Sequence, residues 1–388
     1  MRFKPLRSLH AVLAVALAVN AALIVLAGCG RAPIRPAAAP PVPPVTAAMG
    51  AAFVGSAACA ECHPREFVIQ SHTRHAHTLR LMSQAALGPL APPTGAVPKT
   101  GLVVFKHADR IGIGSPGRSA FILPLDYAFG SGKTGMTYVA LVEGGQVAEV
   151  AMSYFPHEHQ WRMTPGDSDV PMEALARMRP AQDARTCFSC HAAMPAHTLV
   201  APAAKFFGVG CESCHGAGSI HVARMRAGQY RGDATMAQIE TWPATRVLAL
   251  CGQCHGSAQA AMTGAARMSN TVSATDTSRF QPFGLAQSRC FRESKDTLSC
   301  ITCHDPHTNV SENEGAYVSV CLSCHTTQAA HRPAPLRASL VKTCPVNSRD
   351  HCITCHMPKH KVISSVIPTT VADHDIRIQR GQLTGNIP

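Results

Sequence analysis

Hydropathy divides the chain into three regimes. The first is an apolar run at residues 11–27, broken only by Asn20 and preceded by Arg2, Lys4 and Arg7. A charged start followed by such a run is the pattern of an export signal. Its seventeen residues would only marginally span a bilayer as an uncleaved anchor. Residues 31–49 hold six prolines, at 33, 36, 40, 41, 43 and 44. They predict an extended, semi-rigid stalk of about 3 Å per residue. In the second regime, residues 64–87 set Phe67, Leu79 and Leu81 among polar positions and predict a helix. After Pro92 and Pro93, Val, Ile, Tyr and Phe predict strands over 102–105, 120–125, 137–142 and 146–154. Glu143-Gly144-Gly145-Gln146 suits a tight hairpin turn between the last two. The third regime has only short periodic stretches, predicting helices over 171–178, 220–227 and 245–251.

The third regime is dominated by chemistry rather than periodicity. Cys-x-x-Cys-His occurs seven times, as Cys59/Cys62/His63, Cys187/Cys190/His191, Cys211/Cys214/His215, Cys251/Cys254/His255, Cys300/Cys303/His304, Cys321/Cys324/His325 and Cys352/Cys355/His356. This is the attachment pattern of c-type haem: two thiols anchor the macrocycle edge, and the adjacent imidazole reaches the iron. Structural zinc needs four ligands per metal but no His fixed beside each Cys pair, and a disulfide framework needs no His. The sequence therefore predicts seven covalently attached haems, each with an iron ligated by its motif histidine. The last six motifs begin only 24, 40, 49, 21 and 31 residues apart. No segment between them can build a sizeable core of its own, so the haems are expected to share one and lie close together.

Composition supports this. Aromatic residues are 5% of the chain, with two Trp, which is thin for a core of side chains alone. Macrocycles would fill the gap, and the apo-chain should be poorly folded. The formal charge of +12 falls to +9 without Arg2, Lys4 and Arg7. Seven ferric haems with ionised propionates bring it to about +2. A nucleic-acid partner is therefore not expected. Gly132-Lys133-Thr134 looks like the end of a phosphate-binding loop, but residue 127 is Tyr where Gly is required, and a strand follows. Nucleotide binding is excluded.

Leu26-Ala27-Gly28-Cys29 resembles a bacterial lipobox, which implies lipidation of Cys29 and a membrane anchor on the periplasmic side or outer membrane. The opening, from Cys59 to Ser71-His72-Thr73-Arg74-His75, resembles the first-haem segment of multihaem cytochromes related to cytochrome c-554 and hydroxylamine oxidoreductase. That resemblance makes His72 or His75 a distal iron ligand; the alternative is a solvated helix face. Cys211-Glu-Ser-Cys214-His215-Gly-Ala-Gly-Ser-Ile-His221 and Cys300-Ile-Thr-Cys303-His304-Asp305-Pro306-His307 resemble two further elements of the superfamily, which gives His221 and His307 the same role. His331 and His374 are similar to its tail ligands, and His197 is a weaker candidate. Thirteen histidines lie outside the motifs and besides His10, enough for two imidazoles at every iron. Cys290 and Cys344 remain, and an even remainder in an oxidising compartment suggests a disulfide worth about 3–4 kcal/mol.

The expected organisation is a signal peptide at 1–28, a Pro-rich linker at 29–52, a first haem segment at 53–90, a β-rich insert at 91–170 and a six-haem domain at 171–388. The expected fold is mainly α with much irregular structure, organised around stacked haems. The expected function is electron transfer between a membrane donor and redox partner proteins. The alternative is a multihaem reductase or oxidase of a small nitrogen or sulfur species with one open iron site. The Cys-x-x-Cys-Lys motif of pentahaem nitrite reductases does not occur.

Overall fold

The computed structural model describes residues 50–117, 121–164, 175–194, 201–232, 235–256, 281–325, 344–347, 349–361 and 370–378. The chain divides into two compact units, Met1–Ala38 and Ala39–Pro388, and every described residue belongs to the second. The apolar run, Cys29, most of the proline-rich stretch, His197 and His331 lie outside the described residues. Among those residues, no helix is long and apolar enough to cross a membrane.

Two antiparallel sheets form the first half. Strands β1 (Leu79–Leu81), β2 (Gly95–Val97), β3 (Leu102–His107), β4 (Arg110–Gly114), β5 (Leu123–Pro124), β6 (Tyr127–Phe129), β7 (Thr137–Leu141) and β8 (Val147–Val150) are followed by β9 (Met152–Phe155), β10 (Gln160–Met163) and β11 (Ala176–Arg179). One sheet has the order β2-β3-β4-β5 and the other β1-β6-β7-β8-β11, while β9 and β10 pair as a hairpin. Alternation along β7 explains the layering, since successive side chains leave opposite faces of a strand. Tyr138 and Ala140 enter a core with Val104, Ile111, Ile113, Ala128, Met136 and Val150. Val139 points the other way, into a cluster with Leu79, Tyr127, Val147, Ala184 and Phe188. The five-stranded sheet is thus buried on both faces. Its second face receives α3 (Ala181–His191), which carries the second Cys-x-x-Cys-His motif. The turn into β8 needs glycine, because Gly144 has φ 73°, a left-handed conformation that side chains disfavour.

Three expectations change. Residues 64–87 do not form one helix: α1 (Pro64–Ser71) stops at His72, β1 then joins the edge of β6, and α2 (Gln84–Leu87) follows. Pairing with β6 buries Leu79 to 2% exposure, which a continuous helix would forgo. Residues 176–179 are strand rather than helix, because Ala176–Arg179 completes the sheet against β8 and Arg179 Nε donates to Glu149 at 2.6 Å. The expected strand at 146–154 breaks at Ala151 into β8 and β9, which join different sheets. Strands accordingly run from Leu79 to Arg179, beyond the 91–170 span of the expected insert.

The second half is built differently. It comprises α4 (Cys211–His215), α5 (Ser219–Arg226), α6 (Ala244–His255), α7 (Gln281–Gln287), α8 (Arg289–Glu293), α9 (Cys300–Cys303), α10 (Glu314–Cys324), α11 (Cys352–His356), and the strand pair β12 (Lys359–Lys361) and β13 (Thr370–Ala372). Among the described residues, neither apolar cluster reaches beyond Phe207. Buried apolar side chains after it are few and scattered: Ala217, Ala244, Val247, Leu250, Leu285 and Val318. Short helices without a side-chain core are what a cofactor-filled interior requires.

Candidate haem-binding sites

Motifs one to seven, in chain order, each lie on or end a helical turn: motif two within α3, three as α4, four at the end of α6, five at α9, six at the end of α10 and seven as α11. Residues three apart lie near one another on a helix surface, so the two sulfurs of each pair are neighbours with the histidine beside them. At motif one, His63 N–H donates to the Cys59 carbonyl at 2.8 Å, closing the turn.

Thiols of different motifs come together. Cys59 lies beside Cys211, Cys190 beside Cys254, Cys251 beside Cys300 and Cys321 beside Cys352. Burial pushes the Cys214 and Cys303 thiols up to about 11. The attachment edges of sites one and three, two and four, four and five, and six and seven therefore adjoin. The expected Cys290–Cys344 bridge is not formed, since both are free thiols. Cys290 sits 3.4 Å from Ser288 Oγ and beside Cys303, whereas Cys344 lies beside Cys352 and accepts from Asn347 N. Each leftover thiol has its own neighbours rather than the other.

The protein does not enclose the motifs equally. Cys62, Cys355 and His325 are exposed, although Cys59, Cys352 and Cys321 of the same motifs are half-buried. The cause is the way each short turn packs. Cys59 and Cys352 meet Cys211 and Cys321, which leaves Cys62 and Cys355, three residues further on, at the solvent edge. His325 lies just beyond the last turn of α10, where its N–H donates to the Cys321 carbonyl at 2.9 Å. Whether taken as part of an attachment motif or as an iron ligand, His325 is therefore open to water rather than inside the unit. Sites one and four to seven each keep at least one such residue at the surface, since His63, Cys254, His255 and Cys303 are exposed too.

The histidines show a second regularity. His63 and His221 face each other with ring centroids 6.5 Å apart and planes 25° apart. His215 and His307 do so at 6.2 Å and 10°, and His304 and His374 at 6.3 Å and 36°. His255 and His75 are at 5.9 Å with planes at 71°. Two metal–imidazole bonds of about 2 Å, plus the distance from each nitrogen to its ring centre, put two axial rings about 6 Å apart. The four separations fit an iron between each pair. Of the two first-segment candidates, His75 faces a motif histidine. His72 instead caps α1, exposed, with Nδ1 2.7 Å from the Val68 carbonyl.

Backbone carbonyls orient these rings. His191 Nδ1 donates to the Thr78 carbonyl (2.8 Å), His215 Nδ1 to Ala237 (2.9 Å), His356 Nδ1 to Arg377 (3.2 Å) and His374 Nδ1 to Ala372 (2.9 Å). With the proton fixed on Nδ1, Nε2 keeps the lone pair a metal takes. Burial lowers the pKa of His75, His191, His304 and His374 below the ordinary imidazole value, which favours the neutral form that ligation requires. His304 Nδ1 is buried without a hydrogen-bond partner. Gly208 is needed here: it has φ 78°, a Cβ on it would overlap the Ala76 carbonyl, and its own N–H and that of Val209 bond to His191 and His75.

One side chain ties the first segment to motif three. Glu212, 2% exposed, accepts from Val54 N (2.9 and 3.2 Å), Gly55 N (2.7 Å) and Gly218 N (2.8 Å). Ser219 adds two bonds to Ala52. This carboxylate latch holds Cys59 alongside Cys211. Sequence reasoning missed it, as it missed the carbonyls of Thr78, Ala237 and Arg377. An acid between the two cysteines of a motif is a faint signal for Glu212, and a backbone acceptor leaves no signal at all.

The sequence profile of the family described as cytochrome c554 and c-prime matches residues 151–216, which include motifs two and three. The fold is similar to the crystal structure of the outer cell wall cytochrome OcwA, with a TM-score of 0.50 and 16% identity over 84% of this chain and 79% of that one. No curated protein matches the sequence. The motif set, the profile match and the shared fold together support a multihaem c-type cytochrome.

Proposed function

We propose that the protein is an exported, lipid-anchored seven-haem cytochrome that carries electrons between a membrane donor and a redox partner protein. The observation that carries this is the set of four facing imidazole pairs. Bound haem supplies one-electron iron chemistry. The chain's own contribution would be to hold an iron between His63 and His221, His215 and His307, His255 and His75, and His304 and His374. An iron closed on both faces excludes substrate and leaves electron transfer as its use. The adjoining thiols of different motifs support haems packed edge to edge, a short path for electrons. Exposure of motif residues at sites one and four to seven supports more than one point of entry and exit for electrons. Anchorage at Cys29 rests on the lipobox, and export agrees with the outer cell wall location in the name of the structurally similar cytochrome.

A second reading, a reductase or oxidase of a small nitrogen or sulfur species, has one observation in its favour. Among the described residues, the ring that meets His191 is Phe129, at 4.9 Å, not a second imidazole. Electron paramagnetic resonance of the oxidised protein separates the two. Low-spin ferric signals alone are expected of the conduit, whereas a stoichiometric high-spin signal would favour the enzyme. Intact mass tests the haem count: a mass increment short of seven haems would overturn the proposal.

A further inference from the structure

Asp305-Pro306-His307 follows directly on His304 of site five and reaches two other sites. The Pro306 carbonyl lies beside the His75 ring, paired with site four, and His307 faces His215 of site three. Within the tripeptide, Asp305 Oδ1 accepts from the His307 backbone N–H at 2.9 Å and from His307 Nδ1 at 3.1 Å. His374 donates instead to the neutral carbonyl of Ala372, and His75 lies beside that of Pro306. A carboxylate on Nδ1–H draws the proton toward itself and makes Nε2 a more basic ligand. A more basic ligand favours the ferric over the ferrous ion, because the oxidised ion is the stronger electron acceptor. We infer that Asp305 is a positioning residue that, through His307, holds the site-three haem at a lower potential than a neutral acceptor would. The inference rests on the two-imidazole reading of site three.

The tripeptide is half open to water, with Asp305 and His307 side chains 57% and 44% exposed, so the charge acts through partial screening. A moderate effect is therefore expected. In Asp305→Asn the hydrogen bond is kept and the charge removed. The oxidised-to-reduced ratio of one haem should then change by about threefold to tenfold at fixed potential, about 28 to 59 mV upward for a one-electron couple. Asp305→Glu should return it toward the wild-type value. Asp305→Ser, which also removes the charge, carries the same expectation if the amide variant loses haem. The assay is a potentiometric titration of the full haem-loaded protein followed by electron paramagnetic resonance. There the nearly parallel rings of site three, 10° apart, give a signal distinct from the crossed rings of site four, 71° apart. His307→Ala run alongside should convert one haem to high spin. If it does not, the two-imidazole reading of site three falls, and this inference with it. If it does, but Asp305→Asn titrates like the wild type or shifts every haem alike, the tuning role alone is overturned.

Discussion

Replacing Glu212 tests how the first haem segment is held against the third. Its carboxylate takes three backbone N–H groups, from Val54, Gly55 and Gly218. In Glu212→Ala these donors lose their acceptor in a site where the parent side chain is 2% exposed, so water does not readily replace it. A buried orphaned donor costs about 1–3 kcal/mol. Because Val54 is only half-buried, three such donors should cost about 3–5 kcal/mol in all. Glu212→Gln keeps one acceptor oxygen and turns an NH₂ toward an N–H, so about half that loss is expected. Both changes should appear first as local opening of residues 52–55 from 218–219 rather than as global unfolding. Hydrogen exchange of the Val54, Gly55 and Gly218 amides in the haem-loaded protein reads this directly. At 1.4 kcal/mol per factor of ten, Glu212→Ala should speed their exchange by about two to three orders of magnitude, and Glu212→Gln by about one. The sheet amides of Tyr138 and Val139 should be unmoved. Exchange within threefold of wild type in the alanine variant would refute the latch.

Four other outcomes are expected. Tyr138 Oη is buried without a partner, so Tyr138→Phe should stabilise the β unit by about 1 kcal/mol in thermal unfolding at pH 7. Burial pushes this phenol above its ordinary value, so above about pH 10 the unfolded chain ionises first and stability falls as pH rises; the Phe variant should lack that loss at pH 11. His75→Ala should turn one low-spin haem high-spin, while His72→Ala leaves the resonance spectrum unchanged. Thiol labelling of the denatured, unreduced protein should find both Cys290 and Cys344 reactive, whereas neither reacting would restore the disulfide. Material made without haem attachment should keep slow exchange across 79–179 and exchange freely beyond residue 281. Uniform protection in that sample would contradict a cofactor-dependent second half.

How much of this was legible in the sequence depended on the physics behind each feature. The seven motifs were plain, because covalent attachment imposes a fixed spacing. Their unequal enclosure was not, since the same spacing serves exposed Cys62 and Cys355 and half-buried Cys214 alike. The helices at 220–227 and 245–251 appear as α5 and α6, and α6 buries Ala244, Val247 and Leu250 on one face. Residues 79–81 and 176–179 failed for one reason: short segments with helix-compatible composition became edge strands through pairing with β6 and β8, partners far along the chain. Resemblance narrowed a distal ligand to His72 or His75, and choosing between them required the fold. His75 is steered by the Pro306 carbonyl, more than two hundred residues away, while His72 is retained by its own helix. Glu212 was hidden because its partners are backbone amides, which every residue but proline owns.

On the proposed two-imidazole ligation of an exported chain, the crossing of ligands between segments has a consequence for biogenesis. A chain translocated from its N-terminus delivers His63 long before His221, so the first iron would wait with one face bare until motif three had passed through the export channel. The fourth would close at once, because His75 arrives ahead of His255. Stalled or truncated translocation products should therefore carry a porphyrin at motif one that binds carbon monoxide, a reactivity that full-length export extinguishes.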